Sequence, residues 1–108
     1  DFRHKDEIAK QLIGTWIHKQ DGDLNSFRFV RADHFERNTQ GFTFQEDGKV
    51  LMQIPFGCQL PPHFGTFSAN WRVLNKNTVE LDRHYPGEDP DKMKIVKLNN
   101  RVLRFTYK

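Results

Sequence analysis

The sequence predicts an all-β protein, an antiparallel up-and-down β-barrel of about eight strands preceded by a short N-terminal helix. Short alternating apolar segments run from Thr15 to the C-terminus, tight turn signals separate them, and no later segment is long enough for a crossover helix. Ten of the 108 residues are phenylalanine, which favours strands over helices. A meander with this number of strands hides its edges best by closing into a barrel.

Composition limits the class of protein and its partners. With 36% hydrophobic and 29% charged residues, the chain is a folded globular domain rather than a disordered one. The net charge is only +3, and the basic residues are interrupted by acids, whereas a nucleic-acid interface clusters them on one face. No apolar run approaches the roughly 18 residues of a membrane span. We therefore expect no nucleic-acid partner and no transmembrane segment.

The N-terminal segment predicts a helix that leads into the barrel. Residues 3–12 have helix-forming composition, with Ile8 and Leu12 spaced to share one face. Gly14 ends this pattern, so we divide the chain into a helical arm, 1–12, and a barrel, 13–108. In Gly14-Thr15-Trp16 the glycine permits close backbone approach and the indole is large enough to plug a barrel end. This tripeptide predicts the closed end of the barrel.

The strands follow in order from the alternation of apolar residues. Asp47-Gly48 is the strongest turn signal because both residues tolerate the positive φ of primed turns, and it makes one hairpin of 42–54. Proline and glycine interrupt the pattern at 55–63 and 85–91, which predicts two loops. The remaining strands are predicted at 25–31, 65–74, 78–84, 93–98 and 102–107.

The alternation also predicts which side chains line the inside of the barrel. A barrel of about eight strands is just wide enough to be filled by side chains or to hold one small ligand, and the sequence leaves both possibilities open. If a ligand enters the lumen, the residues lining it are Phe27, Phe29, Phe42, Phe44, Met52, Phe67, Trp71, Phe105 and Tyr107.

Four segments in order, 12–16, 42–49, 65–74 and 93–103, resemble the lipocalin-like family of small bacterial exported domains, which have calycin-type barrels. The resemblance implies an up-and-down barrel without catalytic machinery, and export or lipid anchoring. It also implies that an arginine from the last strand lies across Trp16 as a cation-π lid at the closed end. Arg104 is the first choice for this arginine and Arg101 the next.

Metal binding and catalysis find little support in the sequence. The five histidines lack the spacings that prepare a metal site, and one cysteine cannot complete a zinc set. Should the fold gather any of them, His63 and His84 near Cys58 are the pair to examine. Cys58 lies in a proline-rich loop without a helix N-terminus to lower its pKa, and no nucleophile-elbow or phosphate-loop motif occurs. We expect no enzyme activity, no cofactor and no metal.

Three functions remain open from the sequence. The first is a non-enzymatic barrel that binds a small hydrophobic ligand in its lumen. The second is a protein-interaction or structural module with a filled core that presents the unusually apolar loop at 55–64 to a partner. The third, suggested by the pI of 9.2 and the phenylalanine content, is single-stranded nucleic-acid binding, which needs exposed aromatic rings beside clustered basic residues.

Overall fold

A computed structural model describes residues 2–56, 63–75, 77–83, 87 and 89–107. Within these residues one helix is followed by eight strands. The elements are α1 (Phe2–Leu12), β1 (Gly14–His18), β2 (Phe27–Ala32), β3 (Gly41–Phe44), β4 (Lys49–Phe56), β5 (His63–Asn75), β6 (Thr78–Asp82), β7 (Asp91–Leu98) and β8 (Val102–Tyr107).

The strands form a closed barrel in the order β1-β2-β8-β7-β6-β5-β4-β3, and every neighbouring pair is antiparallel. The predicted fold class, a closed antiparallel barrel of eight strands with a short helix, is confirmed. The order departs from consecutive hairpins at one place, because β1 lies between β2 and β3. Since both are antiparallel to β1, β2 and β3 run in the same direction, and residues 33–40 carry the chain back between them.

The hairpins close where the turn chemistry predicts. Gly48 adopts a φ of 87°, and the N–H of Gln45 donates to the carbonyl of Lys49 over 2.9 Å. At the β7–β8 turn the Asn99 side chain accepts the N–H groups of Arg101 and Val102, both at 2.8 Å. These local hydrogen bonds hold both hairpins in register.

Several predicted boundaries are wrong: β2 begins at Phe27 rather than at residue 25, and β7 begins at Asp91, inside the loop predicted at 85–91. The loop expected at 55–63 is shorter, because β4 continues through Pro55 to Phe56 and pairs with β5 down to Phe56↔His63. The proline is tolerated because β3 stops pairing at Gly41↔Gln53, so no strand on that side needs its missing N–H. β6 ends at Asp82 rather than at residue 84.

A β-bulge in β7 keeps the apolar side chains of the last hairpin on the inward face of the barrel. The register shifts between Ile95 and Lys97, and the intervening Val96 is 57% exposed. Beyond the bulge, Leu98 lies opposite the buried Leu103. Without the extra residue, Lys97 would take the inward position, so the bulge preserves the apolar interior.

Side chains fill the inside of the barrel. Neighbouring ring centroids lie 5.0 Å apart for Phe29 and Phe42 and 5.4 Å apart for Phe29 and Phe105. Each of these three side chains is only 1% exposed, as expected of a close-packed interior. The most deeply buried side chains are Leu12, Trp16, Phe29, Phe42, Phe44, Val50, Met52, Val79, Leu81, Met93, Leu103 and Phe105.

The helix and Trp16 close one end of the barrel. Leu12 and Trp16 are fully buried, and Ile8, Ala9 and Ile13 pack against the same core. The indole N–H of Trp16 donates to the carbonyl of Leu12 over 2.9 Å, which satisfies both a buried donor and a carbonyl at the helix C-terminus.

Arg31 of β2 covers Trp16. Its guanidinium carbon lies 4.2 Å from the centre of the Trp16 ring, within cation-π range. The same group donates to the carbonyl of Ile13 at 2.8 Å, to that of Asn100 at 3.0 Å and to that of Gln11. One side chain thereby joins the end of α1, β2 and the β7–β8 turn.

The expected roles of Arg104 and Arg101 at this end are wrong. Leu103 and Phe105 are buried inside the barrel, so the alternation turns Arg104 outward, where it forms ion pairs with Asp21 and Asp23. Arg101 is exposed in the turn before β8. The sequence did hold the signal for the correct residue, because Arg31 alternates in phase with Phe27 and Phe29.

Gly14→Ala is expected to destabilise the protein by about 2–3 kcal/mol, because Gly14 has a φ of +125° and an added Cβ would lie 2.3 Å from Nη1 of Arg31. Urea unfolding followed by tryptophan fluorescence measures the change. Gly22→Ala is the matched control, since nothing lies within 4 Å of its added Cβ. Equal stability of the two variants would contradict the role assigned to Gly14.

Arg31→Met is expected to cost about 2–4 kcal/mol, because it removes the cation-π contact and leaves carbonyl groups at the helix end without their donors. The same unfolding measurement on Arg104→Met should show a smaller loss, since that side chain pairs with exposed carboxylates. A larger loss of stability for Arg104→Met than for Arg31→Met would contradict the role assigned to Arg31 at the closed end.

Candidate functional site

Among the described residues, the end of the barrel opposite Trp16 carries exposed aromatic side chains. Phe27, Phe67 and Tyr107 have the inward alternation of the core residues but are 41%, 40% and 45% exposed. Each lies on a strand at the level where the interior meets solvent: Phe27 begins β2 and Tyr107 ends β8. We call this surface, formed by Phe27, Phe67 and Tyr107, the mouth.

One side of the mouth is a cluster of rings. Phe27 lies 5.6 Å from Phe105 and 5.5 Å from Tyr107, and Phe105 and Tyr107 are 5.4 Å apart, all measured between centroids. Phe105 is buried, so it forms the floor beneath the two exposed rings. Burial raises the pKa of the Tyr107 phenol above its ordinary value of 10.0, and the negative charge of Asp91 raises it further.

The other side of the mouth contains a pocket. It has a volume of about 380 Å³ and is lined by Met52, Ile54, Thr66, Phe67, Ser68 and Arg83. The pocket exists because β5 has thirteen residues whereas β6 has five, and their pairing reaches only Asn70↔Asp82. The volume is within the range of small-molecule sites.

Charge around the pocket is low. Arg83 and Asp91 form an ion pair with 2.7 Å between Nη2 and Oδ2, and both side chains are partly exposed. Residues 50–71, which include the walls formed by β4 and β5, contain no Asp, Glu, Lys or Arg. The arrangement can bind apolar groups next to a balanced ion pair, and it favours a ligand without strong net charge.

The nine residues expected to line a ligand divide into two groups. Phe27, Phe67 and Tyr107 lie at the mouth, and Met52 lines the pocket from a buried position. The others belong to the packed interior: Phe29, Phe42, Phe44, Trp71 and Phe105. Sequence alternation identified the inward face, but it could not separate the filled half from the open half, because that difference depends on strand length. Ile54 and Arg83 were not anticipated.

The remaining candidate residues do not assemble into a site within the described part of the chain. His63 is exposed at the start of β5, while Cys58, His84 and the centre of the 55–64 loop, residues 57–62, lie outside the described residues. Among the residues described, no group of three or more His, Cys, Asp or Glu could hold a metal ion. The helix that the structure describes is too short and too polar to cross a membrane.

An ordered acidic loop flanks the mouth between β1 and β2. Asp21 and Asp23 accept the N–H groups of Asp23 and Asn25 at 3.0 and 2.9 Å. Arg104 forms an ion pair with Asp21 and donates to Ser26 Oγ at 2.9 Å. The hydrogen bond from Arg104 lowers the pKa of Asp21 from 3.8 to about 2, aided by the N–H of Asp23. This loop fixes the start of β2 beside Phe27.

No protein-family model, curated protein or solved structure matches this chain. The resemblance to lipocalin-like domains thus rests on the motifs of the sequence, and the barrel itself rests on the pairing of its strands.

Arg104→Gln is expected to raise the pKa of Asp21 from about 2 toward 3.8. The pKa of Asp21 is lower in the folded protein than in the unfolded chain. The ion pair with Arg104 therefore stabilises the folded state above pH 4, and this stabilisation is lost as the pH falls through about 2. NMR titration of the Asp21 carboxyl carbon measures this. Arg72→Gln, which alters an ion pair with Glu80 instead, should leave Asp21 unchanged. An unchanged Asp21 in Arg104→Gln would contradict the assignment.

Proposed function

We propose that this protein is a non-enzymatic, lipocalin-like binding module that takes a small hydrophobic ligand at the mouth of its barrel. The observation that carries the proposal is the exposure of Phe27, Phe67 and Tyr107 on the inward face at the end of the barrel opposite Trp16. The family resemblance adds export from a bacterial cell to the proposal.

The packing of the interior determines how deeply a ligand could bind. Phe29 and Phe105 form a continuous ring layer below the mouth, with 1% of each side chain exposed. A ligand that reached Trp16 would have to displace this layer, at a cost of several kcal/mol for the lost packing. We therefore place the ligand above Phe105, in the pocket beside Phe67.

Solvent-exposed aromatic rings supply the driving force for binding. Transfer of apolar surface out of water is worth about 25 cal/mol per Å². The rings of Phe27 and Tyr107 already contact each other, so they present a preformed surface and little side-chain entropy is lost on binding. The Arg83–Asp91 pair at the rim contributes polar groups that could orient a ligand.

The alternative is a protein-interaction or structural module that presents the loop at 55–64. The filled closed half supports it, because the barrel needs no ligand to complete its core. The absence of charged residues from 50 to 71 also supports it, since interface centres are depleted of charge. A titration with a small apolar probe separates this alternative from the leading proposal.

The test is fluorescence titration of the native protein with N-phenylnaphthylamine, an uncharged apolar probe. Phe67→Thr should weaken binding about tenfold, which is roughly 1.4 kcal/mol, because it removes one wall of the pocket. Val96→Thr is the matched control: it replaces an exposed apolar residue on the outer surface and should leave the affinity unchanged.

Unfolding curves of both variants show whether they remain folded, and amide shifts on titration locate the probe. Shifts at Phe27, Phe67 and Tyr107 are expected. Binding that Phe67→Thr and Val96→Thr weaken equally, or no binding by the native protein, would contradict the proposal.

A further inference from the structure

Part of the edge of β5 lies beside the pocket. On one side β5 pairs with β4 over eight of its thirteen residues, from Lys49↔Asn70 to Phe56↔His63. On its other side the ladder with β6 starts only at Asn70↔Asp82. β4 and β5 therefore extend past the end of β6. β3 stays paired with β4 as far as Gly41↔Gln53, and among the described residues, 54–56 and 63–65 continue as a two-stranded ribbon.

The direction of the backbone groups along this edge follows from one hydrogen bond. The N–H of Trp71 donates to the carbonyl of Gly48 over 2.8 Å, toward the β4 side. Because successive residues of a strand point their amides to opposite sides, Phe64, Thr66 and Ser68 direct N–H and C=O away from β4. Among the described residues, no strand pairs with these three on that side.

The opposite edge of the same ribbon is protected. Pro55 has no N–H to offer, and the side chain of Gln53 donates to the carbonyls of Glu36 and Thr39 at 2.6 and 2.5 Å. The segment 33–40 thus lies against β4 near that edge. Proline and covering loops are the usual means of preventing strand addition. The edge formed by Phe64, Thr66 and Ser68 has neither a proline nor a charged side chain.

Backbone groups and pocket meet at this edge. Thr66 and Ser68 line the pocket together with Met52, Ile54 and Phe67. Phe64, Thr66 and Ser68 present one donor and one acceptor every two residues, a repeat of about 6.7 Å. Extended polypeptide carries amide groups at this repeat, whereas a small hydrophobic molecule does not.

We propose that the edge formed by Phe64, Thr66 and Ser68 binds an extended, uncharged peptide segment as an added β-strand, with an apolar side chain of that peptide in the pocket beside Phe67. The inference rests on the proposed function, because it uses the same pocket and names the ligand class. Main-chain hydrogen bonds would hold the peptide, and the pocket would select its side chain.

The test uses a blocked, uncharged heptapeptide of alternating threonine and leucine with a glutamine at each end, added at up to millimolar concentration. Amide exchange of Thr66 and Ser68, measured by NMR, should slow at least tenfold with peptide. Phe67 and Ala69 should change little, since their amides already face β4. The same peptide with an N-methyl group on every residue has no N–H on either edge and should give no protection.

Thr66→Pro removes the backbone N–H of residue 66, which points away from β4, so no hydrogen bond to β4 is broken. Thr66→Val keeps this N–H. Thr66→Pro should weaken peptide binding at least tenfold and Thr66→Val less than twofold, and unfolding curves should show that both variants remain folded. If Thr66→Pro unfolds, the N-methylated peptide makes the same distinction.

Probe binding at the mouth without peptide protection of Thr66 and Ser68 would overturn this inference and leave the proposed function standing. Loss of both would overturn both. Protection that rises with protein concentration in the absence of peptide would overturn it in favour of a second copy at the edge.

Discussion

The contact between Arg31 and Trp16 is the interaction on which the closed end depends. The indole fills the barrel end, and its N–H donates to the carbonyl of Leu12. The guanidinium of Arg31 lies across the indole ring and donates to carbonyls at the end of α1 and in the β7–β8 turn. A helix end buried without such donors would leave polar groups unsatisfied in an apolar core. Gly14 makes this possible, since a larger residue would collide with Arg31.

The exposure of Phe67 follows from a mismatch of strand lengths. Where all eight strands overlap, inward side chains meet across the axis and fill the space. β4 and β5 extend further than β6, so Phe67 has core-like alternation but lacks a complete wall around it. The same mismatch creates the pocket and brings the edge at Thr66 beside it. Apolar surface and backbone hydrogen-bonding groups are therefore adjacent, a combination that suits both functions considered for this barrel.

The fold was predictable because its signals are local. The Asp47-Gly48 turn, the asparagines before β8 and the alternation of Phe42 and Phe44 each act within a few residues. The position of β1 between β2 and β3 was not predictable, because the pairing of β2 with β8 joins residues far apart in the chain. Pro55 also misled the prediction: proline ends a strand only where a neighbour needs its N–H, and β3 does not reach that level.

By itself, the sequence determined the class of fold, the inward face of each strand and the closing role of Gly14 and Trp16, because alternation and turn chemistry act over short distances. Alternation along β2 and β8 puts Arg31 on the inward face and Arg104 on the outward face. Only the tertiary structure decided that Arg31 covers Trp16, because the pairing of β1 with β2 sets Trp16 opposite Arg31. It also decided which aromatic residues stay exposed. Phe27 and Phe105 pair directly, yet one lies at the rim and the other in the core, a difference set by where the surrounding strands end.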